Sequence, residues 1–399
     1  MRAFSIRRGT AVTLLAVLLV SGCATFSQDG GFNTVNQLTQ QRLGTAVRLQ
    51  KTADDEQSLK AFISDTLKQP LSVGDAVQIA LLNNRGLQST YAGLGLIEAD
   101  LVQAGRLQNP TFGFKHTSSG NDVVIERTLT FNLLRLLTAP LATRIETNRF
   151  EESKLLVADA ALKVAADTRR AYFEAVAAQQ SVIYAKQVNE SAAAGAELAT
   201  RMAGAGNWSK LDLLREQAFY VDATSAVGRA AKEAVTTREK LTRLLGLSGT
   251  DTQFTLPERL PDLPATTRDL PQVEQLAVND RLDIQAGQLQ LKQTAASLGL
   301  TKTTRFINVL DLGAVRNSAT GQPTAPGYEL TIEIPLFDWG SARVARAEST
   351  YLQTANQLAE TVVNARSEAR ESYLGYRTSY DLAKHYRDQV LPLRKRVGD

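Results

Sequence analysis

The sequence predicts a mainly α-helical protein with a small β part, made of long antiparallel helical hairpins and four β-strands. Three observations indicate this fold class. The run 141–245 has 105 residues without a proline and 24 alanines, and alanine is the strongest helix former whereas proline breaks helices. Residues 110–135 and 306–337 instead alternate apolar and polar side chains, which is typical of β-strands. The same order of elements occurs twice, which predicts two internal repeats.

The N-terminus has the features of a lipoprotein signal peptide. A basic head precedes a run of about ten apolar residues, too short for a transmembrane helix. Val20-Ser-Gly-Cys23 then resembles a lipobox, so residues 1–22 are expected to be removed and Cys23, the single cysteine, to be lipidated. The alternative for a lone cysteine is a small buried side chain. Ala24 after the cysteine favours the outer membrane, by analogy with known bacterial lipoproteins.

Charge and composition point away from nucleic-acid binding and catalysis. Without residues 1–22 the chain has 42 basic and 41 acidic residues, and no basic run is interleaved with aromatic residues, so no nucleic-acid partner is expected. The two histidines, His116 and His385, have no cysteine or carboxylate at metal-ligand spacing. No cofactor, metal site or enzymatic activity is therefore predicted.

The first repeat is predicted at residues 71–255, after a lipid-anchored leader at 23–70 with one or two short helices. It opens with a helix that Ser72 caps and that runs to Gln108. A β-hairpin at 110–135 follows, and its second strand alternates over about ten residues, as a membrane strand does. Arg127 falls on the apolar side of this strand, which costs less near a membrane interface than at mid-bilayer. The alternative for this hairpin alone is an ordinary amphipathic hairpin on a soluble domain.

Two long antiparallel helices complete this repeat and meet at a tip, residues 203–210. If the first helix starts near Leu141, it is roughly 95 Å long. Apolar residues recur at steps of three and four on both sides of the tip, which is the pattern of a coiled coil. Gly204 and Gly206 are expected to permit the sharp reversal, and Ser209 is expected to cap the returning helix.

A proline-rich joint at 256–271 leads to the second repeat, predicted at 272–399. It contains a helix, a β-hairpin at 306–337 with strands at 307–315 and 328–337, and a long helix from Ser341. The strand at 307–315 alternates less well, whereas the strand at 328–337 has Tyr328, Leu330, Ile332, Ile334 and Leu336 on one side. By register, Asp399 corresponds to roughly Glu197 in the first repeat. The second tip and its returning helix are therefore expected to be missing, so that this repeat is incomplete.

Four strands cannot close a membrane barrel, because an open edge in lipid leaves backbone groups without hydrogen bonds. Three chains would supply twelve strands, a number within the range of outer-membrane barrels. The chain resembles a lipoprotein member of the TolC-type outer-membrane efflux family with a truncated C-terminus. The resemblance rests on the lipobox, residues 72–81, Gln108-Asn-Pro-Thr-Phe112, Glu333-Ile-Pro-Leu-Phe337, Val390-Leu-Pro392 and the tip segment 206–214.

This resemblance implies a homotrimer in the lipid of the cell outer membrane, with four transmembrane β-strands per chain and a barrel closed by trimerisation. The long helices would form the wall of an α-barrel that extends into the periplasm. The implied function is the exit duct of a tripartite efflux system, coupled through a periplasmic adaptor to an inner-membrane pump. Passive transport of small toxic compounds (drugs, organic compounds or metal ions) is expected.

The tip is the predicted contact for the adaptor. The residues concerned are Gly204, Gly206, Asn207, Trp208, Ser209, Leu211, Asp212, Leu213 and Leu214. An ionic latch near the pore mouth is predicted to comprise Lys210, Asp212, Arg215 and Glu216. The alternatives are that the tip residues only form the turn, and that the charges are surface charges of little energetic weight.

Two other functions stay open. The first alternative is a duct for type I protein secretion. The second is a lipid-anchored structural coiled-coil protein of the periplasm whose strands form a small soluble hairpin domain. The two differ from the efflux duct in cargo and in trimer formation, respectively.

Overall fold

A computed structural model of the protein describes residues 25–398, and these form a mostly helical chain with one small antiparallel sheet. The prediction of a mainly α protein with a small β part is confirmed. Residues 1–22 and Cys23 lie outside the described residues, so the structure does not bear on the signal peptide or on lipidation.

The helices and strands follow one another along the chain in a fixed order. The first half contains α1 (Phe32–Leu43), α2 (Ala53–Thr66), α3 (Val73–Asn83), α4 (Arg85–Ala104), β1 (Thr111–Ser119), β2 (Asp122–Asn132), α5 (Leu133–Gly204) and α6 (Lys210–Leu245). The second half contains α7 (Val273–Asp280), α8 (Leu282–Thr304), β3 (Leu310–Ala319), β4 (Ala325–Ile332), α9 (Ser341–His385), a π-helical turn (Tyr386–Val390) and α10 (Leu391–Gly398).

The chain divides into two compact units. One, the sheet unit, comprises residues 25–33 together with Gly93–Leu156 and Leu270–Tyr373. The other, the tip unit, comprises Thr34–Ala92, Val157–Asp269 and residues 374–398. The sheet belongs entirely to the first unit, and the turn between α5 and α6 belongs to the second.

The tip unit has an apolar core formed where α3, α5 and α6 meet. Ile79, Tyr172 and Leu241 are among its buried members, together with Leu245. The Tyr172 hydroxyl donates a hydrogen bond of 2.8 Å to the Leu71 carbonyl oxygen, so the polar end of this buried ring is satisfied. Burial in the apolar core raises the pKa of Tyr172 because the phenolate loses its hydration there.

The single helix predicted from residue 72 to Gln108 is wrong. The structure has two helices, α3 and α4, separated at Asn84, whose backbone is extended. The Asn84 side chain accepts a hydrogen bond of 3.0 Å from the Leu87 N–H and donates one of 3.0 Å to the Leu244 carbonyl. An asparagine side chain that bonds the backbone in this way offers an alternative to the continued helix, and so it ends α3 and caps α4.

The predicted start of the long helix near Leu141 is also wrong. Helix α5 begins at Leu133 and passes through Pro140, so the hairpin predicted at 110–135 covers 111–132. The Asn132 side chain accepts a hydrogen bond of 2.7 Å from the Arg135 N–H, which is the bond that an N-cap residue makes. This cap lets the helix begin directly where the strand ends, upstream of a proline that usually limits a helix.

The second hairpin is shifted relative to the strands predicted within 306–337. Strand β3 ends at Ala319 and not at 315, and β4 starts at Ala325 and ends at Ile332. Pro335 lacks the N–H group that a further ladder bond needs, which accounts for the early end of β4. Pro326 is tolerated within β4 because this strand lies at an edge of the sheet.

The four strands pair in sequence order, β1-β2-β3-β4, and each neighbouring pair is antiparallel. The central pair, β2 with β3, joins segments that are far apart in the sequence, and β1 and β4 form the two edges. Each half of the chain has two helices, a β-hairpin and a long helix in the same order: α3, α4, β1, β2 and α5 in the first half, and α7, α8, β3, β4 and α9 in the second. Among the helices of residues 25–398, not one combines the length and hydrophobicity that crossing a bilayer would require.

Candidate functional site

The predicted tip residues lie together at the turn between α5 and α6. Gly206 has a left-handed backbone, with φ of 79°. Its N–H donates to the Ala203 carbonyl at 3.0 Å, and the Asn207 N–H donates to the Met202 carbonyl at 3.0 Å. These two bonds form a Schellman motif, in which a left-handed glycine ends a helix. Gly206 therefore has the predicted conformational role.

The expectation for Gly204 is wrong, because Gly204 is the last residue of α5 and does not have a positive φ. The expected cap at Ser209 is present. Its hydroxyl oxygen accepts a bond of 3.1 Å from the Asp212 N–H, and the hydroxyl donates one of 2.6 Å to the Asp212 carboxylate. A carboxylate in the first turn of α6 is also favoured by the helix dipole.

The helices on both sides of this turn form an antiparallel hairpin. The Thr224 hydroxyl donates 2.9 Å to the Asn189 side-chain oxygen, and Lys240 pairs with Glu174 at 2.8 Å. In both pairs the partners lie almost equally far from the turn along the chain. The predicted helical hairpin is therefore closed by side-chain contacts well away from its tip.

An apolar patch is exposed at the tip, formed by Trp208, Leu211 and Leu214 (the tip patch). Leu211 is 58% exposed and Leu214 is 50% exposed, and residues three apart lie on the same side of a helix. Leu213, which was predicted as part of the same surface, is half-buried. Exposed apolar side chains at the end of a helical hairpin can anchor a partner helix.

Of the four charged residues of the predicted latch, only two form an ion pair within residues 25–398. Arg215 lies 3.5 Å from Asp212, one turn back on the same helix, and both side chains are solvent-exposed. Within residues 25–398, Lys210 and Glu216 take part in no ion pair. Asp212 bonds Ser209 and Arg215 within its own chain. The four charged residues lie near one another because all of them fall in the first two turns of α6.

The sheet has one apolar and one polar face, because residues that pair across antiparallel strands lie on the same face. The apolar face carries Phe112, Phe114, Ile125, Leu129, Phe131, Leu312, Tyr328, Leu330 and Ile332. Most of these side chains are exposed, with Tyr328 at 83% and Phe112 at 66%. The polar face carries Lys115, Glu126, Thr128, Thr130, Asp311, Asn317, Glu329 and Thr331.

This face was only partly predicted. The sequence indicated an apolar side for β2 and for β4 separately, with Arg127 on the apolar side of β2. Arg316 was missed, although it lies opposite Arg127 in the register of β2 and β3. The poorer alternation of β3 hid its membership of the same face, and only the register reveals it.

Solved structures of outer-membrane channels share this architecture. The outer-membrane channel OprN superposes with a TM-score of 0.66 at 18% identity, covering 84% of this chain and 80% of OprN. The outer membrane protein VceC of Vibrio cholerae gives a TM-score of 0.62 at 15% identity, covering 85% of this chain and 84% of VceC. The chain has the fold of a TolC-type outer-membrane channel. At the level of the fold, the resemblance found in the sequence is confirmed.

Two known proteins are also similar in sequence over most of this chain. CyaE of Bordetella pertussis is 26% identical over 307 residues, which are 72% of this chain and 64% of CyaE. The cobalt-zinc-cadmium resistance protein CzcC of Cupriavidus metallidurans is 24% identical over 316 residues, 75% of this chain and 73% of CzcC. The chain therefore spans less than two thirds of the length of CyaE. No protein-family model matches the sequence.

Proposed function

We propose that the protein is the outer-membrane exit duct of a tripartite efflux system. The observation that carries this proposal is the sheet, whose register places large exposed apolar side chains of all four strands on one face. Such a face is stable where lipid covers it, and the polar face then lines an aqueous lumen. The similarity in fold to outer-membrane channels supports the same conclusion.

The duct is proposed to be a homotrimer. The sheet has two edge strands, β1 and β4, and an unpaired edge in lipid is costly. Pairing of β1 with β4 of the next protomer closes a barrel of twelve strands, and the long helices of the two proposed internal repeats form a periplasmic α-barrel. The polar inner face makes this a route for passive transport.

The test of this architecture compares the wild type with Cys23→Ala, which removes the proposed lipid anchor but leaves the sheet unchanged. Both proteins are expected to require detergent for extraction, to run as heat-resistant trimers in detergent and to conduct ions in planar bilayers. If Cys23→Ala is instead a monomer that is extracted without detergent, the protein is not a channel. That result would favour the alternative, a lipid-anchored structural coiled-coil protein of the periplasm.

Lipidation of Cys23 is part of the proposal and rests on the lipobox Val20-Ser-Gly-Cys23. The Ser27 N–H and the Ser27 hydroxyl donate to the Glu98 carboxylate at 2.6 and 2.5 Å. The chain is thus held in the sheet unit only four residues after the cysteine. Metabolic labelling with palmitate is expected to label the wild type and not Cys23→Ala. Equal labelling of both proteins would contradict the assignment.

The proposed partners are a periplasmic adaptor at the helix tip and an inner-membrane pump beyond it. The proposed cargo is a small toxic compound, and the cobalt-zinc-cadmium resistance in the name of CzcC supports metal ions as one class. The neighbouring genes test this assignment, because an adaptor and a proton-driven pump are expected beside the gene. An ATP-driven exporter beside the gene of a large secreted protein would favour the alternative, a type I protein-secretion duct.

A further inference from the structure

A transverse row of four residues places two arginines side by side on the apolar face of the sheet. Phe114 pairs with Arg127, Arg127 with Arg316, and Arg316 with Pro326. Within residues 25–398, neither guanidinium forms a hydrogen bond or an ion pair. Like charges directly opposite each other on neighbouring strands destabilise a sheet. Residues 25–398 therefore supply no anionic partner that would offset the cost of this pair.

The row lies at the border of the apolar face. The next two rows toward α4 and α5 contain Phe112, Leu129, Tyr328 and then Phe131, Leu312, Leu330. The next row toward the hairpin turns contains His116, Ile125 and Ser318. Aromatic and aliphatic side chains thus give way at the two arginines to a mixed surface that continues to the turns.

The surroundings of Arg127 favour an anionic partner at the level of this row of the sheet. Its guanidinium carbon lies 6.0 Å from the centre of the Phe114 ring, a cation–π contact that helps to hold the charge over the apolar surface. An arginine on the lipid face of a membrane strand is costly at mid-bilayer but inexpensive near the interface. The interface is also where lipid phosphates lie, so the position and the charge of the pair match one ligand class.

We propose that Arg127 and Arg316 together bind a phosphate group of an anionic membrane lipid whose acyl chains cover the apolar rows beside them. This inference rests on the proposed function, because it requires this face of the sheet to contact lipid. The guanidinium group binds phosphate through two parallel hydrogen bonds, and two such groups offset the charge of one phosphate. The hairpin turns lie at the end of the strands opposite to α4 and α5, so the lipid belongs to the outer leaflet, and lipid A is the occupant we commit to.

The experiment measures binding of two probes, diphosphorylated lipid A and its dephosphorylated form, to the full-length protein in nanodiscs of zwitterionic lipid. The wild type is expected to bind the phosphorylated form at least about tenfold more tightly, the scale of a charge-assisted hydrogen bond. Arg127→Gln and Arg316→Gln are each expected to lose about tenfold in affinity for it. Lys115→Gln is the matched control, because it removes one positive charge from the polar face of the same sheet, opposite Glu126.

Several results would overturn the proposal. Equal binding of the two probes by the wild type would do so, as would full affinity in Arg127→Gln and Arg316→Gln. If millimolar inorganic phosphate competes for the two arginines as well as lipid A does, the pair is a site for a free anion. If the Gln variants do not fold, the comparison of the two probes on the wild type, which needs no variant, still decides.

The same samples separate this inference from the proposed function. Wild-type protein that forms no trimers and conducts no ions would contradict the exit duct itself. Conducting trimers that do not distinguish phosphorylated from dephosphorylated lipid A would contradict only the phosphate site. An equal loss of trimer stability in Arg127→Gln with and without phosphorylated lipid would assign the arginines to a contact between protomers, and would also overturn the site.

Discussion

The side-chain amide of Asn83 donates hydrogen bonds to the carbonyl oxygens of Leu245 and Gly246, at 2.9 and 2.8 Å. Asn83 is the last residue of α3, and the two carbonyls are at the end of α6. Carbonyl groups at the end of a helix have no partner within the helix. One asparagine therefore satisfies the end of α6 and joins it to α3 in the tip unit.

We expect Asn83→Ala to lower the free energy of unfolding by about 1–3 kcal/mol, the cost of leaving partly buried carbonyls without a donor. Denaturant unfolding in detergent measures the change. The control is Asn356→Ala, because Asn356 donates to the Leu352 carbonyl on the exposed surface of α9, where water can replace it. An equal effect of both variants would contradict the special role of Asn83.

Gly246→Ala tests the backbone at the same place. Gly246 has φ of 66°, and an added Cβ would lie 2.6 Å from the Asn83 carbonyl oxygen. We expect destabilisation by at least about 1–2 kcal/mol, from the left-handed backbone alone. Gly228→Ala is the control, since this helical glycine of α6 has open space around it, and it is expected to stabilise by about 0.5–1 kcal/mol. The prediction fails if both changes act in the same direction.

Tyr172→Phe tests the buried hydroxyl of the core. The ring is 5% exposed, and without its hydroxyl the Leu71 carbonyl loses a bond of 2.8 Å. We expect a loss of about 1–2 kcal/mol in the free energy of unfolding. Tyr184→Phe, on the exposed surface of the same helix, is expected to change little. Unchanged stability of Tyr172→Phe would show that water replaces the bond.

Glu152 predicts a pH dependence of stability. Partial burial raises the pKa of this carboxyl, against an opposing effect of Arg149. A carboxyl whose folded pKa is raised destabilises the fold once it ionises, so stability falls as the pH rises from the unfolded to the folded pKa. Glu152→Gln is therefore expected to be more stable than the wild type at neutral pH, with no difference below about pH 4. The exposed Glu190→Gln serves as the control, and a difference that persists in acid would contradict this explanation.

The tip patch predicts the adaptor contact. Leu211→Asp and Leu214→Asp place a charge at the centre of this apolar surface, and each is expected to weaken adaptor binding by about tenfold or more while trimers persist. Surface plasmon resonance with the purified adaptor measures the affinity. Leu352→Asp is the matched control, because Leu352 on α9 is 57% exposed, close to the 58% of Leu211. Unchanged affinity of both tip variants would leave the tip residues with a role only in the turn.

Local signals in the sequence were sufficient for the tip. A glycine that needs a positive φ and a serine before an acidic residue predict a helix end and a helix start, and Gly206 and Ser209 have these roles in the structure. The signal at Asn132, a bond from the Arg135 N–H three residues on, is local and was missed. The signal at Asn84 was overlooked for a physical reason. An asparagine breaks or caps a helix only when its amide finds backbone partners, and those of Asn84 include a carbonyl of the distant α6.

The sequence by itself determined the long helices, the tip and the alternating strands, because these depend on side-chain periodicity and on contacts between near neighbours. Only the tertiary structure decided that β2 pairs with β3 and that Arg127 lies opposite Arg316. A shift of one residue in this pairing would move a whole strand's side chains to the other face. Register follows from hydrogen bonds between segments far apart in the chain, and the two faces of the sheet, with the lipid site proposed on one of them, exist only once those bonds have formed.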